Sequence, residues 1–423
     1  MRSRTVLFEF TLVLPFVLAM LSEGFAQRES VIRSFNNNGI DGALSYADVV
    51  FDNAGNLYGT TYIGGVHYSG TVFELIPKVG GGWTEKILHD FNCDNGDGCN
   101  PLAGMTFDKS GNLYGTTSQG GVLLGGGVVF ELIPRPSGRW AEKILHRFTG
   151  IGGDGFDPYS AGVVLDSSGN VYGTTNSGGA SGAGTIYELT PTAAGGWSYA
   201  ILHSFGDRES GQFPQAGLIL DAQGNLYGTT FQGGNGACQN GTGTAFKLTF
   251  TGGTWNESIL YNFGATCEDA IGPVARLTFD ASGNLYGTTF YGGLDGDGTV
   301  FELTPSASGT WTETLLHIFG NDGTDGYHPY SDLIVSSSGS IYGTTLYGGI
   351  YAGIGEFNSG GIAFQLSNTG GTWTETILHS FGNGTDANAS LAGLTPWGAS
   401  GNLYGTSTGG GADGDGAVFV ITP

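Results

Sequence analysis

Seven times along the chain the phrase Gly-Asn-Leu-Tyr-Gly-Thr-Thr, or a close variant, comes round, and nothing else limits the fold as strongly. Its tyrosine stands at Tyr58, Tyr114, Tyr172, Tyr227, Tyr286, Tyr342 and Tyr404, at intervals of 56, 58, 55, 59, 56 and 62 residues. A recurrence this regular is one architecture repeated. The fifth copy shows its parts: strand-like runs at Ala275 to Asp280, Asn284 to Thr289, Gly298 to Thr304 and Trp311 to Phe319. Each is short, β-branched or aromatic, and bounded by Gly, Asp, Asn or Pro, and no helix-period stripe interrupts them. Four antiparallel strands repeated seven times predict an all-β, seven-bladed β-propeller of four-stranded blades. The Trp-Asp dipeptide of one common blade type is absent.

The two ends of the chain complete one another. Every full unit closes on a phrase such as Ile87-Leu88-His89-Asp90-Phe91, and Val31-Ile32-Arg33-Ser34-Phe35 near the N-terminus repeats it with no preceding strands. At the other end, Val418 to Pro423 matches Val72 to Pro77 and stops after a third strand. Residues 29–35 are therefore expected to complete the last blade and close the ring, which removes two unpaired strand edges.

Ahead of that strand, Arg2 and Arg4 precede an apolar run from Val6 to Leu21, and Gly24-Phe25-Ala26 offers small residues before Gln27. This is the pattern of a secretory signal peptide over residues 1–26, cleaved between Ala26 and Gln27. The run is shorter than the ~20 residues of a spanning helix, so no stable membrane insertion is expected after cleavage. Residues 27–423 then form a single propeller domain. Glycine supplies 80 of 423 residues, far above the usual ~7%, and it falls mainly in the turns between strands. The net charge of −23 argues against nucleic-acid and anionic-membrane partners, which select basic surfaces. A soluble monomer is expected.

A residue present in every blade lies on a ring, so its copies cannot meet at one substrate. On that ground His89, His146, His203, His317 and His379 are expected to hydrogen-bond beside a Trp-x-Glu neighbour rather than to bind metal. Trp83, Trp140, Trp197, Trp255, Trp311 and Trp373 are read as packing between blades. The Asp-x-x-Gly-Asn turns at Asp52, Asp108, Asp166, Asp221 and Asp280 join strands one and two on one face. The longer connections share the opposite face, where a binding site is expected.

All four cysteines map to those long loops, and proximity suggests the pairs Cys93–Cys99 and Cys238–Cys267 in an exported chain. Asp295, Asp297, Asp413 and Asp415 are weak calcium candidates, because alternating carboxylates can ligate a hard cation; no cofactor is otherwise expected. Phe156, Tyr159, Tyr327, Tyr330 and Tyr351 sit in or beside the long loops and could stack on a sugar. Polar residues found in single blades are Arg208, Glu209, Glu268, Asp269, Arg276, His328 and Glu356. The binding candidates on the long-loop face are Arg208, Glu209, Glu268, Asp269, Tyr327, His328, Tyr351 and Glu356, for a protein or glycan ligand. No spacing marks a pair of catalytic carboxylates or a nucleophile with its base, so no catalytic residue is assigned.

The order Gly-Asn-Leu-Tyr-Gly-Thr-Thr, Gly-Gly, Gly-Thr-Val-Phe-Glu-Leu-Thr-Pro, Trp-Thr-Glu-Thr-Ile-Leu-His-Ser-Phe resembles the GloVer tandem repeat of bacterial "choice-of-anchor" surface proteins. The turn phrase is also similar to that of two-component regulator propellers, with Tyr in place of Trp. The resemblance implies an exported bacterial propeller scaffold and no catalytic residues. No anchor segment follows Pro423, so surface attachment, release and periplasmic residence stand equally open. The expected function is a non-catalytic binding or scaffold module at or outside the cell envelope. The alternatives are a glycan-binding lectin-like protein and a carbohydrate-active hydrolase or lyase.

Overall fold

In the computed structural model, residues 28–422 are described apart from 122–124, 161, 207, 239–240, 321 and 354–359. The expected leader, its cleavage point at Ala26 and Gln27, and Glu356 lie outside the described residues. The chain forms seven antiparallel blades around one axis. Blade 1 comprises Val50–Phe51, Leu57–Thr61, Thr71–Pro77 and Trp83–Asp90, hydrogen-bonded in that order, and blades 2 to 6 repeat it. No described helix is long and apolar enough to cross a membrane.

Blade 7 is built from both ends of the chain. Arg28–Ser34 pairs antiparallel with Ala417–Thr422, running from Arg28 opposite Thr422 to Ser34 opposite Ala417, with a bulge at Ile32. The same bulge falls at Leu88 in blade 1, where Val72 faces His89 and Phe73 faces Ile87. The N-terminal strand thus copies a fourth strand down to its irregularity.

Packing between blades follows from the repeated aromatics. The phenylalanine that follows each fourth strand packs at a steep angle against an aromatic ring in the third strand of the following blade, edge-on in the case of Phe91 against Phe130 at 5.2 Å. Third-strand rings have room because glycine faces them across the ladder. Gly59 pairs with Phe73, and a Cβ on Gly59 would lie 2.5 Å from the Phe73 ring. The tryptophans join blades as expected; Trp140, for example, meets Tyr58 of the preceding blade at 6.1 Å. Within a blade, the Tyr58 hydroxyl links Glu74 (2.9 Å) to the turn residue Asp52 (3.1 Å). Asp52 also accepts the backbone N–H groups of Ala54 and Asn56, which closes the turn.

The innermost strands are shorter than the sequence pattern suggests. In blade 5 the ladder covers Thr278–Phe279, and Ala275 to Leu277 approach it without pairing. Ahead of each inner strand one residue has positive φ: Leu44, Asn100, Asp157, Phe213, His328 and Ala389 at 54–59°, with Gly272 at 66° in blade 5. That conformation costs a non-glycine residue on the order of 1 kcal/mol or more, and interblade hydrogen bonds offset it. His328 donates its N–H to Asp297 O of blade 5 (2.7 Å) while its carbonyl accepts from Leu346 N (3.3 Å). Most blades add a two-residue ribbon beside this point, such as Gly326–Tyr327 with Tyr347–Gly348.

Candidate functional site

Just before each inner strand, one position per blade faces the axis: Asp48, Gly104, Gly162, Gly217, Arg276, Asp332 and Gly393. They touch in sequence around the channel. A Cβ on Gly104 would meet Asp48 at 3.4 Å, one on Gly162 would meet Gly104 at 3.2 Å, and one on Gly217 would meet Gly162 at 3.2 Å. Four of the seven are glycine, which leaves an open half. The other half carries charge. Here the blades stop being copies of one another.

Arg276 reaches across this half. Its Nη2 lies 2.9 Å from Asp332 Oδ2 and 4.0 Å from Asp48 Oδ2. The Arg276 backbone N–H donates to Asp332 Oδ1 at 2.7 Å, so Asp332 is held at both oxygens. Asp48 Oδ1 accepts the backbone N–H of Gly393. The three side chains remain 41%, 26% and 25% exposed for Arg276, Asp48 and Asp332, yet all three line one cavity enclosed between the blades. That confinement pushes the Asp48 carboxyl up to about 7, reinforced by the nearby Asp332 charge and opposed by Arg276. Asp332 in turn raises the Arg276 guanidinium above its ordinary value.

The cavity around them measures about 360 Å³, within the roughly 300–1,000 Å³ of small-ligand pockets. Tyr46 and Tyr330 line it. Tyr159 lies close enough to raise both hydroxyls, chiefly alongside burial. Three blades therefore contribute a tyrosine to one place. Phe290, 6.0 Å from Tyr330 and stacked on His328 at 4.4 Å, extends the aromatic surface outward. His328 Nδ1 lies 2.8 Å from Phe290 O, and Tyr327 packs on Tyr347 at 5.4 Å.

The remaining sequence candidates do not join this cluster. Arg208, Glu209 and Glu268 are exposed on loops. Asp269 sits between blades 4 and 5, where the Tyr261 hydroxyl donates to Glu313 at 3.1 Å and confinement beside Asp269 pushes Glu313 up to about 9. Tyr351 lies on a turn beside Gly382. Asp295 and Asp297 belong to blade 5, whereas Asp413 and Asp415 occupy the matching loop of blade 7. Asp415 there accepts the backbone N–H of Asn37 at 3.0 Å, which ties down the closing segment. Cys93 is bonded to Cys99 and Cys238 to Cys267.

Sequence reasoning does not single out Asp48 and Asp332, and it marks Arg276 only as blade-specific. The signal is present in register. Reading the position two before each inner strand down all seven copies gives Asp, Gly, Gly, Gly, Arg, Asp, Gly.

The model of the Gloeobacter/Verrucomicrobia repeat matches residues 21–238, 125–357 and 235–423. Comparison with curated proteins gives no match. Among solved structures, PorZ, an essential surface component of the type-IX secretion system of Porphyromonas gingivalis, is similar at 17% identity and a TM-score of 0.49. That similarity covers 88% of this chain and 46% of PorZ, so the chain spans less than half of PorZ's length. A proposed oxidoreductase (glucose dehydrogenase) from Thermus thermophilus is similar at 14% identity and a TM-score of 0.44, over 83% of this chain and 99% of that one.

Proposed function

The chain belongs to the Gloeobacter/Verrucomicrobia repeat family, and on that premise we propose that it is an exported, non-catalytic propeller that binds a glycan end in its axial cavity. The observation that carries this reading is the convergence of Asp48, Arg276 and Asp332, from three different blades, at the axis. A structural role would be expected to recur in every blade; this one occurs once. Carboxylate acceptors beside a guanidinium donor match the hydroxyl array of a sugar. The tyrosines Tyr46, Tyr159 and Tyr330 add flat apolar faces that carry polar tips. Two disulfides accord with an oxidising compartment, as does the expected leader.

A glycan array probed with residues 27–423 tests the reading. Binding should weaken at least tenfold in Arg276→Met and Tyr330→Ala, and should persist in Glu268→Gln, which alters an exposed loop. An array without hits for the unmodified protein would defeat it. One observation favours a second reading, a carbohydrate-active hydrolase: the Asp48 carboxyl, pushed up to about 7 beside Asp332, has the protonation of a general acid next to a second carboxyl. Release of reducing ends from a polysaccharide, abolished by Asp48→Asn, would replace the binding reading with that one.

A further inference from the structure

Away from the axis, junctions between consecutive blades carry clusters built from both fourth strands and the loop joining the blades. At the junction of blades 1 and 2, His89 Nε2 lies 3.2 Å from Asp97 Oδ2 and 3.6 Å from Glu142 Oε1. At blades 5 and 6, His317 Nε2 lies 3.3 Å from Asp325 Oδ2 and 3.7 Å from Glu375 Oε1. In each cluster all three donor atoms lie within 4.8 Å of one another, and the glutamate Oε1 is buried against the aspartate carboxyl of the same cluster. The expectation that these histidines are purely structural treats each as alone in its blade. The other donors come from the loop and the next blade.

The ring-closing junction shows what such a cluster needs. There Arg33 stands where five other blades have histidine and blade 4 has Tyr261, and its guanidinium pairs with both Asp41 and Glu85. A permanent cation separates two carboxylates. At the two histidine junctions an imidazole stands between two carboxylates in place of that guanidinium. Between blades 2 and 3 the second carboxylate is absent: Tyr199 takes the glutamate's place and stacks on His146 at 3.7 Å.

We propose that His89–Asp97–Glu142 and His317–Asp325–Glu375 each bind a divalent ion of the zinc class. One imidazole nitrogen and two carboxylate oxygens are donors that zinc accepts. Tetrahedral bonds of 2.0–2.1 Å place ligand atoms about 3.3 Å apart, close to the 3.2–3.7 Å from each histidine to its two carboxylates. Three protein ligands leave a fourth position open. At blades 1 and 2 the three ligands themselves line a cavity of about 330 Å³, together with His67, Asp90 and Arg147. The Cys93–Cys99 bond closes the loop that carries Asp97, so this ligand is fixed before an ion arrives. The junction of blades 6 and 7 has the same residue types, but His379 and Asp386 are 2.6 Å apart. All three histidine–aspartate pairs are hydrogen-bonded, and this one, against 3.2 and 3.3 Å in the others, is the pair too close to serve as two ligands of one zinc.

Residues 27–423, stripped with a chelator, should bind two equivalents of Zn²⁺ in calorimetric titration. Co²⁺ in its place should give the visible absorption of a four-coordinate ion. Glu142→Gln should remove one equivalent, Glu142→Gln with Glu375→Gln both, and His379→Asn neither. The double variant should also lose any rise in melting temperature that Zn²⁺ gives the parent, while its own midpoint without metal reports on folding. Absence of saturable Zn²⁺ binding by the parent, or two equivalents retained by a folded double variant, would overturn the proposal. Neither outcome bears on glycan binding at the axis.

Discussion

The ring of Phe35 stands edge-on to that of Phe73, 5.3 Å away, and through this contact the first strand of the chain joins blade 7 to blade 1. The neighbouring junction makes the same contact with Phe91 and Phe130 at 5.2 Å. Phe35 and Phe91 are both fully buried. The seam is therefore expected to be as strong as any interior junction. Phe35→Ala and Phe91→Ala should each cost about 3–5 kcal/mol in denaturant unfolding. Deletion of residues 27–35 should lower the melting temperature; an unchanged midpoint would mean that the ring does not depend on this strand.

Gly59→Ala should destabilise the chain by about 1–3 kcal/mol, the cost of overpacking. Its new methyl would press on the Phe73 ring, which is itself held against Phe35. Pairing the substitution with Phe73→Leu should recover part of the loss, and a double-mutant cycle reads the coupling directly. Strict additivity would show that the ring does not confine this glycine.

Asp48 gives a pH signature. Its carboxyl titrates near 7 in the folded chain and near 3.9 when unfolded. Between about pH 4 and pH 7 the folded state holds a proton that the unfolded state has released. The stability that Asp48 contributes therefore falls as pH rises through that window and levels off above it. An asparagine in its place would not titrate, so the stability of the parent minus that of Asp48→Asn should decline from about pH 4.5 to about pH 7.5. A flat difference in urea midpoints would show that Asp48 ionises normally.

The two disulfides should differ in weight. Cys93–Cys99 spans a sequence separation of 6 and Cys238–Cys267 one of 29. By loop-closure entropy, removing the first should cost about 2 kcal/mol and the second about 3.5 kcal/mol. Cys→Ser pairs compared by thermal unfolding check the order. A larger loss at the shorter loop would point to native packing rather than chain entropy.

Much of this fold was legible in the sequence, because a blade's strands, turns and facing glycines recur and each copy corrects the others. The four-strand unit and the closing strand follow from Tyr58 and its counterparts and from the orphan phrase at Phe35. Ribbons such as Gly326–Tyr327 with Tyr347–Gly348 were not legible, since glycine pairs carry no β-branched signature. Inner strands came out short because residues such as Arg276 leave the ladder to face the channel. The axial group was hidden by its distribution: Asp48, Arg276 and Asp332 hold one register position in three different copies, and that position is glycine in the other four, so no local motif marks it. The histidine clusters were hidden for the same reason, each being divided between neighbouring blades.

The seven positions that line the channel occupy equivalent backbone sites, and four of them are glycine. A side chain placed at Gly104, Gly162 or Gly217 would begin 3.2–3.4 Å from the equivalent backbone of the preceding blade, so each position is read against its neighbour. Specificity can thus be rewritten one blade at a time, like single letters in a seven-letter word, each spelled with regard to the one before it.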